Sequence, residues 1–292
     1  RARAANPDDP VDAQLAATLL ALMAREHVLS AQPERWLGAG GTPTTDAEYT
    51  GDLTLSPSQF ERALACPLRW FLTTIGADGP SNAAASLGTL IHAVAEEHPH
   101  GTPEELTEAL EARIEELGYN LDTWAGRHSD RRARAIVENL ASYLVGVPGR
   151  VDVEQKVEAQ VEGVTIRGRM DRLEYVDEGV RVTDLKTGGN PDPYRKVDEN
   201  AQLAAYQMAL LASGEDVAGA RIALLGTKKK PQTFDQKPLQ GEALAQWRDK
   251  VREVAESARG PYFEARPSDA ACAYCSFDRL CPARERGHKV VE

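Results

Sequence analysis

Along the first half of the chain, apolar residues recur every three or four positions, which is the period of an amphipathic helix. The pattern predicts helices over residues 8–28, from Pro57 onward and over residues 86–97. The same period continues over residues 103–146, and we interpret residues from about 100 to about 150 as a helical insertion. Its predicted buried positions are Trp124, Ile136, Leu140 and Leu144.

From Val151 onward the pattern becomes that of β-strands. Residues 153–161 alternate Val with Glu and Gln, and Gly163 then turns the chain into a second strand. A third strand follows an acidic turn that ends at Gly179. Helical and strand-like segments then alternate between residues 200 and 258, so the sequence predicts an α/β domain with a central sheet.

Two aspartates are predicted to face each other across the second of these hairpins. If the chain turns about residues 177–178, Asp171 lies directly opposite Asp184. A one-residue bulge at Gly179 would shift this register. Opposed carboxylates repel each other unless they are protonated or bridged by a cation, and a divalent ion with oxygen ligands is the usual solution.

Lys186 and Leu185 extend this candidate site. Strand alternation places Lys186 on the same face as Asp184, while Leu185 points into the core and leaves its carbonyl oxygen at the site. A lysine beside a bound ion can hold an attacking water or neutralise charge on a phosphate. The pattern therefore indicates phosphodiester hydrolysis, and the alternative is a solvated hairpin with scattered surface charges.

Two glutamates on the first strand, Glu154 and Glu158, are further candidates. Either carboxylate could add to the acidic site. Solvent exposure is the simpler interpretation for both, and Glu158 is the better functional candidate of the two.

Four short motifs resemble those of one enzyme family. They are Gly-Thr-Leu-Ile-His at residues 88–92, Gly-x-x-Asp-Arg at residues 168–172, Asp-Leu-Lys-Thr-Gly at residues 184–188 and Gln-x-x-x-Tyr at residues 202–206. Together they resemble the PD-(D/E)XK nuclease superfamily in its RecB-like branch. The resemblance covers roughly residues 52–286, and it implies a restriction-endonuclease-like core with a central mixed sheet flanked by helices.

The resemblance also implies roles for individual residues. The implied ligands of an Mg²⁺ or Mn²⁺ ion are His92, Asp171, Asp184 and the Leu185 carbonyl. The implied catalytic residues are Asp171, Asp184, Lys186, Gln202 and Tyr206, of which the last two lie beside the site and handle the nucleic acid. The expected activity is metal-dependent exonuclease or endonuclease cleavage of single-stranded DNA.

A larger assembly follows from the same resemblance. Domains of this branch commonly end helicase polypeptides, and this sequence resembles those of the AddAB and AdnAB helicase–nucleases, which process double-strand breaks for recombinational repair. We therefore expect residues 1–51 to be a helix and linker after a helicase motor in the same polypeptide, residues 52–292 to be the nuclease domain, and a second helicase–nuclease subunit as partner. Two alternatives stay open: a free-standing single-strand exonuclease of CRISPR-adaptation or repair type, and a catalytically silent nuclease fold that binds DNA or a partner subunit.

The four cysteines predict a metal site. Cys272, Cys275 and Cys281 form a compact group within residues 266–286, whereas Cys66 lies near the other end of the domain, so the two ends would have to meet. Disulfides are not expected in an intracellular chain, and the spacing alone favours zinc. The resemblance implies a structural [4Fe–4S] staple instead, which the prolines after Cys66 and Cys281 also favour, and structural zinc is the alternative.

The net charge of −11 does not by itself exclude a nucleic-acid ligand, because DNA binding requires a local basic track rather than a basic average. The predicted contacts are Arg169, Arg172, Lys228, Lys229 and Lys230. Further candidates are Arg167 and the arginines of residues 131–134, and any one of these basic groups is more often just a solvated surface.

No apolar run approaches the ~20 residues of a membrane span, so we predict a cytoplasmic protein without a membrane partner.

Overall fold

The computed structural model describes residues 10–32, 47–78, 87–114, 118–227, 229–273 and 275–284. The chain divides between Tyr49 and Thr50 into two units. In the first unit, the described residues form helix α1 (Pro10–Arg25) and a short 3₁₀ turn (Leu29–Ala31). This observation agrees with the helix predicted near the start of the chain.

A six-stranded mixed sheet forms the centre of the second unit. Its strands are β1 (Leu53–Leu55), β2 (Val151–Val161), β3 (Val164–Val176), β4 (Gly179–Lys186), β5 (Val217–Leu224) and β6 (Gln232–Gln236). The pairs β1–β3 and β4–β5 are parallel, whereas β2–β3, β3–β4 and β5–β6 are antiparallel. The predicted α/β fold with a central mixed sheet is therefore confirmed.

Helices cover both faces of this sheet. They are α2 (Pro57–Ala65), α3 (Pro67–Thr74), α4 (Leu87–Glu97), α5 (Pro103–Arg113), α6 (Trp124–Val145), α7 (Ala201–Ala212), α8 (Gly241–Ala258) and α9 (Asp269–Cys272), with 3₁₀ turns at Asp192–Tyr194 and Val197–Glu199. Buried side chains of α2, α7 and α8 share one core with the sheet, and those of α4, α5 and α6 share a second core that includes Leu185. Within the described part of the chain, no helix is both long and apolar enough to cross a membrane.

The helical insertion consists of α5 and the long helix α6. Ile136, Leu140 and Leu144 of α6 are buried in the second core, as predicted. The prediction for Trp124 was wrong, because this side chain is 71% exposed. Trp124 is the first residue of α6, so it lies ahead of the segment of the helix that packs against α4 and the sheet.

The pairing of β3 with β4 has the predicted register. Arg172 pairs with Thr183, and the ladder continues regularly to Val176 and Gly179 at the turn. The ladder ends at the Arg172–Thr183 pair, and Asp171 and Asp184 are the next residues of the two strands. The bulge considered at Gly179 does not shift the β3–β4 ladder, since the register shift near it lies between β4 and β5.

The side-chain alternation of β3 breaks at Asp171. Met170 and Leu173 lie three positions apart, yet both are buried in the core shared with α2, α7 and α8. Regular alternation would put them on opposite faces of the sheet. On β2, Glu154 faces Asp171 between two regular pairs and has a φ of 51°, which is the left-handed region. The two acidic residues therefore meet at a local irregularity of both strands.

Candidate active site

Asp171 lies between α4 and the end of β4. Its Oδ2 accepts a 2.7 Å hydrogen bond from the backbone N–H of Leu185, and its Oδ1 lies 3.2 Å from Nδ1 of His92. The hydrogen bond with Asp171 raises the pKa of His92, and burial opposes that shift. The structure thus brings together residues from two separate motifs. Leu185 contacts Asp171 through its N–H, so a metal contact through the Leu185 carbonyl stays a prediction.

Glu154 completes this cluster. One carboxylate oxygen of Glu154, one of Asp171 and a ring nitrogen of His92 all lie within 4.8 Å of one another. Arg169 also holds Glu154, with 3.1 Å between Nη1 and Oε2. The side chain of Glu154 is only 18% exposed, so it faces the cluster rather than bulk solvent.

The preference for Glu158 over Glu154 was wrong. Glu158 lies on the surface, where both of its carboxylate oxygens accept hydrogen bonds from Arg167. Those hydrogen bonds lower the pKa of Glu158. The register of the β2–β3 hairpin carries the signal that identifies Glu154, since a turn at residues 162–163 places it opposite Asp171.

A second cluster, formed by Asp184, Lys186 and Gln202, adjoins the first. Asp184 is 6% exposed, and its Oδ2 lies 2.8 Å from Nζ of Lys186. Gln202 donates a 2.9 Å hydrogen bond from Nε2 to Oδ1 of Asp184 and accepts one of 3.3 Å from Lys186 at Oε1. Burial raises the pKa of Asp184, and Lys186 offsets part of that shift. Burial disfavours the charged form of Lys186, but the charge and hydrogen bond of Asp184, with smaller effects of Tyr194 and Asp171, together raise the pKa of Lys186.

The N-terminus of α7 positions Gln202. Asn200 caps this helix, because its Oδ1 accepts a 2.8 Å hydrogen bond from the N–H of Leu203. Gln202 lies in the first helical turn, directly after the capped end. The cap thereby fixes the direction from which Gln202 reaches Asp184 and Lys186.

Tyr206 contacts the backbone of strand β3 through its hydroxyl group. Its ring is buried, and its hydroxyl donates a 2.6 Å hydrogen bond to the backbone carbonyl of Arg169. Gly168 is the residue that leaves space for the ring, since a Cβ there would lie 3.1 Å from Cε1 of Tyr206. Tyr206 therefore positions β3. Burial and then the charges of Asp184 and Asp171 raise the pKa of Tyr206, so its hydroxyl lies near the site and its catalytic role stays a prediction.

The donor set fits a divalent cation. Two carboxylates and one imidazole converge within 4.8 Å. Mg²⁺ binds its ligands at about 2.0–2.1 Å, so neighbouring ligands of one ion lie roughly 3–4 Å apart. Asp171 and His92 are also close enough to Asp184 for their charges to affect its pKa. A partly buried group of carboxylates of this kind favours the presence of a cation.

Arg172 is not a surface contact, and the prediction that it binds nucleic acid was wrong. Its side chain is fully buried, with Nη1 donating a 3.1 Å hydrogen bond to the carbonyl of Pro99 and Nε lying 3.6 Å from Glu174. Glu174 is buried too and also accepts hydrogen bonds from Tyr143 and Arg181. Arg172 therefore joins the strand of Asp171 to the segment after α4, the helix that carries His92.

The other predicted basic contacts differ in their surroundings. The side chain of Arg169 is 57% exposed although it pairs with Glu154. Lys229 and Lys230 are exposed in the loop after β5, whereas Lys228 lies outside the described residues. Arg169, Lys229 and Lys230 stay predicted contacts.

The segments that carry the cysteines meet, as the staple prediction requires. Leu68 donates a 3.0 Å backbone hydrogen bond to Glu264, and Nη1 of Arg69 donates a 2.7 Å hydrogen bond to the carbonyl of Ala271. These contacts place the start of α3, which directly follows Cys66, beside α9, which ends at Cys272.

All four thiols are half-buried and free of disulfides, so their chemistry fits a tetrathiolate metal site. A site of four thiolates can hold one Zn²⁺ ion or a four-iron cluster, in which each thiolate binds a different iron.

Comparisons with known proteins give the same fold family. The sequence profile of the PD-(D/E)XK nuclease superfamily matches residues 54–282. Gene 69 protein of Mycobacterium phage D29 is 27% identical over 267 residues, which cover 78% of this chain and 96% of the phage protein.

Two solved structures are similar to this chain. The crystal structure of SSO0001 has 15% sequence identity and a TM-score of 0.41, and the match covers 94% of this chain and 98% of that one. A "Putative exonuclease" from Eubacterium rectale has 12% identity and a TM-score of 0.46, and the match covers 80% of this chain and 94% of that one.

Proposed function

This chain belongs to the PD-(D/E)XK nuclease superfamily, and from that premise we propose that it is a divalent-metal-dependent deoxyribonuclease that hydrolyses phosphodiester bonds of single-stranded DNA. The observation that carries the proposal is the junction of two clusters. His92, Glu154 and Asp171 converge on one side, and the Asp184–Lys186 pair lies beside them. A nuclease centre requires a place for a cation next to a cationic side chain, and these residues supply both.

Each residue has a distinct part in this proposal. His92, Asp171 and Asp184 would hold Mg²⁺ or Mn²⁺, with Glu154 as a further carboxylate. When bound, the cation supplies Lewis-acid stabilisation of the phosphate oxygens and of the leaving oxygen. Lys186 directs its ammonium group toward the same place and would orient the attacking water or neutralise developing charge.

Gln202 and Asp184 prepare Lys186 for that part. Gln202 contacts both partners of the Asp184–Lys186 pair, so it fixes their relative orientation before substrate arrives. The charge of Asp184 keeps Lys186 protonated in its half-buried position. A fixed, charged donor needs little reorganisation when the phosphate binds.

Cleavage of end-labelled single-stranded DNA with Mg²⁺ or Mn²⁺ tests the proposal. The decisive variant is Asp184→Asn, and the matched control is Asp235→Asn, an exposed carboxylate on β6 that pairs with Arg221. We expect metal-dependent cleavage in the wild type and the control, and none in Asp184→Asn. Equal activity of Asp184→Asn and wild type would overturn the assignment, and folded, DNA-binding but inert wild type would favour the silent binding module.

We further propose that the four cysteines hold a [4Fe–4S] cluster, which joins the two ends of the nuclease domain. The motif resemblance and the prolines that follow Cys66 and Cys281 support iron–sulfur over structural zinc. Iron and zinc content per chain after anaerobic purification distinguishes the two. We expect about four iron atoms and four sulfides per chain, as the cluster type requires. One zinc per chain and no iron would establish the alternative.

The nuclease could belong to a helicase–nuclease or could be a free-standing enzyme. The motif resemblance supports a helicase–nuclease that resects double-strand breaks, with a motor in the same polypeptide and a second subunit. The phage relative favours a free-standing nuclease, because the match covers 96% of its length and leaves no room there for a motor. ATP-dependent unwinding by the full-length natural polypeptide would support the first setting, and ATP-independent digestion of single strands with no unwinding would support the second.

A further inference from the structure

We propose that the first half of α6 carries a binding track for single-stranded nucleic acid that leads into the active site. The track consists of Trp124, His128, Arg131 and Arg132, and we call it the α6 track. It rests on the proposed nuclease function, because it would deliver the substrate of that same site.

Trp124 has the position and support of a base-stacking platform. Its indole is 71% exposed, so the ring is accessible to a ligand. The ring of His128 stacks on one face, with centroids 5.3 Å apart and planes at 9°. The stack holds the indole in one plane and leaves the opposite face for a nucleobase, which any base can occupy because every base has a π-face.

The track lies on one side of the helix. His128, Arg131 and Arg132 follow Trp124 by four, seven and eight positions, and these spacings bring side chains to a common face. All four residues are exposed, whereas Ala133 is buried in the core. At 1.5 Å per residue, the track extends over roughly 12 Å of the helix axis.

Two arginines of the track are available to an anionic ligand. Neither Arg131 nor Arg132 forms an ion pair with an acidic residue in the described ranges. Arg134, three residues after Arg131, differs because it pairs with Glu111 and Asp130. The chain has a net charge of −11, so two arginines without acidic partners form a local positive patch. Such a patch is complementary to the phosphates of a nucleic acid.

The end of the track borders the catalytic strand. Nη2 of Arg132 lies 3.5 Å from the backbone carbonyl of Thr187, the residue directly after Lys186. A strand whose base stacks on Trp124 and whose phosphates contact Arg131 and Arg132 would therefore run toward Lys186. An unstacked base is a property of single strands, because the bases of a duplex are already paired and stacked.

Binding of fluorescein-labelled oligothymidylate, measured in EDTA so that no cleavage occurs, tests the α6 track. We expect Trp124→Ala to weaken binding by about 5- to 100-fold, and Trp124→Phe to retain most of the affinity, since a phenyl ring still stacks. DNA should quench the intrinsic fluorescence of the wild type, and this quenching should be lost in Trp124→Phe. Leu121→Ala, which changes a neighbouring exposed apolar residue, is the control.

The salt dependence of DNA binding tests the two arginines separately from Trp124. Replacing Arg131 and Arg132 together by Ala should weaken binding and reduce the slope of log Kd against log salt by about 0.7 for each phosphate that is no longer neutralised. Replacing Arg248 and Arg252 of α8 together by Ala, which also removes two positive charges, should leave the slope nearly unchanged. Unchanged affinity in both Trp124→Ala and the double variant would overturn the proposal. Reduced affinity in the arginine variant alone, with Trp124→Ala and the quenching unaffected, would also overturn it, because the arginines would then bind phosphates without a base stacked on Trp124.

Cleavage assays separate this inference from the proposed function. If wild type and Trp124→Ala cleave and bind equally well, the nuclease stands and the α6 track fails. If wild type does not cleave but binds oligothymidylate through Trp124, the track stands and the nuclease proposal fails.

Discussion

The ring of Tyr206 packs directly against the backbone of Gly168, so that a Cβ on Gly168 would lie 3.1 Å from Cε1 of Tyr206. The same Cβ would lie 2.7 Å from Cδ of Pro57, at the start of α2. Two motifs that are far apart in the sequence thus depend on one contact. The glycine lets α2 and α7 approach β3 closely enough for the Tyr206 hydroxyl to reach the carbonyl of Arg169.

Gly168→Ala should therefore destabilise the fold. Pro57 and Tyr206 must both shift, and overpacking of this kind lowers the free energy of unfolding by about 1–3 kcal/mol. Denaturant unfolding measures the change. Gly188→Ala is the matched control, because a Cβ at this second motif glycine meets nothing within 4 Å. Equal stability of the two variants would contradict the packing account.

Gln202→Ala should slow the reaction without unfolding the protein. The change removes hydrogen bonds to a carboxylate and an ammonium group, each of which contributes about 1.5–3 kcal/mol. If the effect falls on the transition state, kcat should drop by about 10- to 100-fold while KM changes little.

Gln207→Ala, on the same helix, should do the opposite. Gln207 is fully buried and binds Gln236, Lys237 and Leu239 rather than Asp184 or Lys186. Its removal leaves buried groups unpaired and should lower the free energy of unfolding by about 1–3 kcal/mol. The kcat per folded molecule should stay at the wild-type value. A decrease of stability in Gln202→Ala and a decrease of kcat in Gln207→Ala would reverse the assignment.

Glu154→Gln should weaken Mn²⁺ binding. The amide keeps the shape of the side chain but removes the negative charge from the cluster with His92 and Asp171. We expect the affinity to fall by about 10- to 100-fold, the range seen when the surroundings of metal sites are altered. Titration followed by electron paramagnetic resonance measures free Mn²⁺ directly. Glu158→Gln makes the same chemical change at the exposed Arg167 pair, and an equal effect of both variants would show only a long-range charge effect.

Arg172→Met should reduce stability rather than DNA affinity. Removing one partner of a buried pair costs up to about 3–5 kcal/mol, and Glu174 retains Arg181 and Tyr143, so the lower part of that range is expected. Thermal unfolding and DNA titration separate the two effects. Arg167→Met removes an exposed arginine from the same strand and should leave the melting temperature nearly unchanged. A selective decrease of DNA affinity in folded Arg172→Met would show that this arginine serves nucleic-acid binding after all.

The sequence by itself determined the sheet hairpins and the register of β3 with β4, which extends to Arg172 and Thr183. Alternating apolar residues and short turns act over neighbouring positions, so the register of β3 with β4 follows from local spacing alone. The same holds for Lys186, whose face is set by its distance of two residues from Asp184. Capping of α2 is local as well, since Ser56 and Gln59 bind each other's backbone N–H groups.

Only the tertiary structure decided which charged and aromatic residues are buried. Arg172 is buried and Trp124 exposed, against expectation, because each outcome depends on elements that are distant in the chain. Glu154 enters the cluster through an irregularity shared by two strands. The alternation of polar and apolar residues cannot predict where the alternation of side-chain directions is interrupted. Local periodicity specifies the faces of helices and strands, whereas packing between them decides what each face meets.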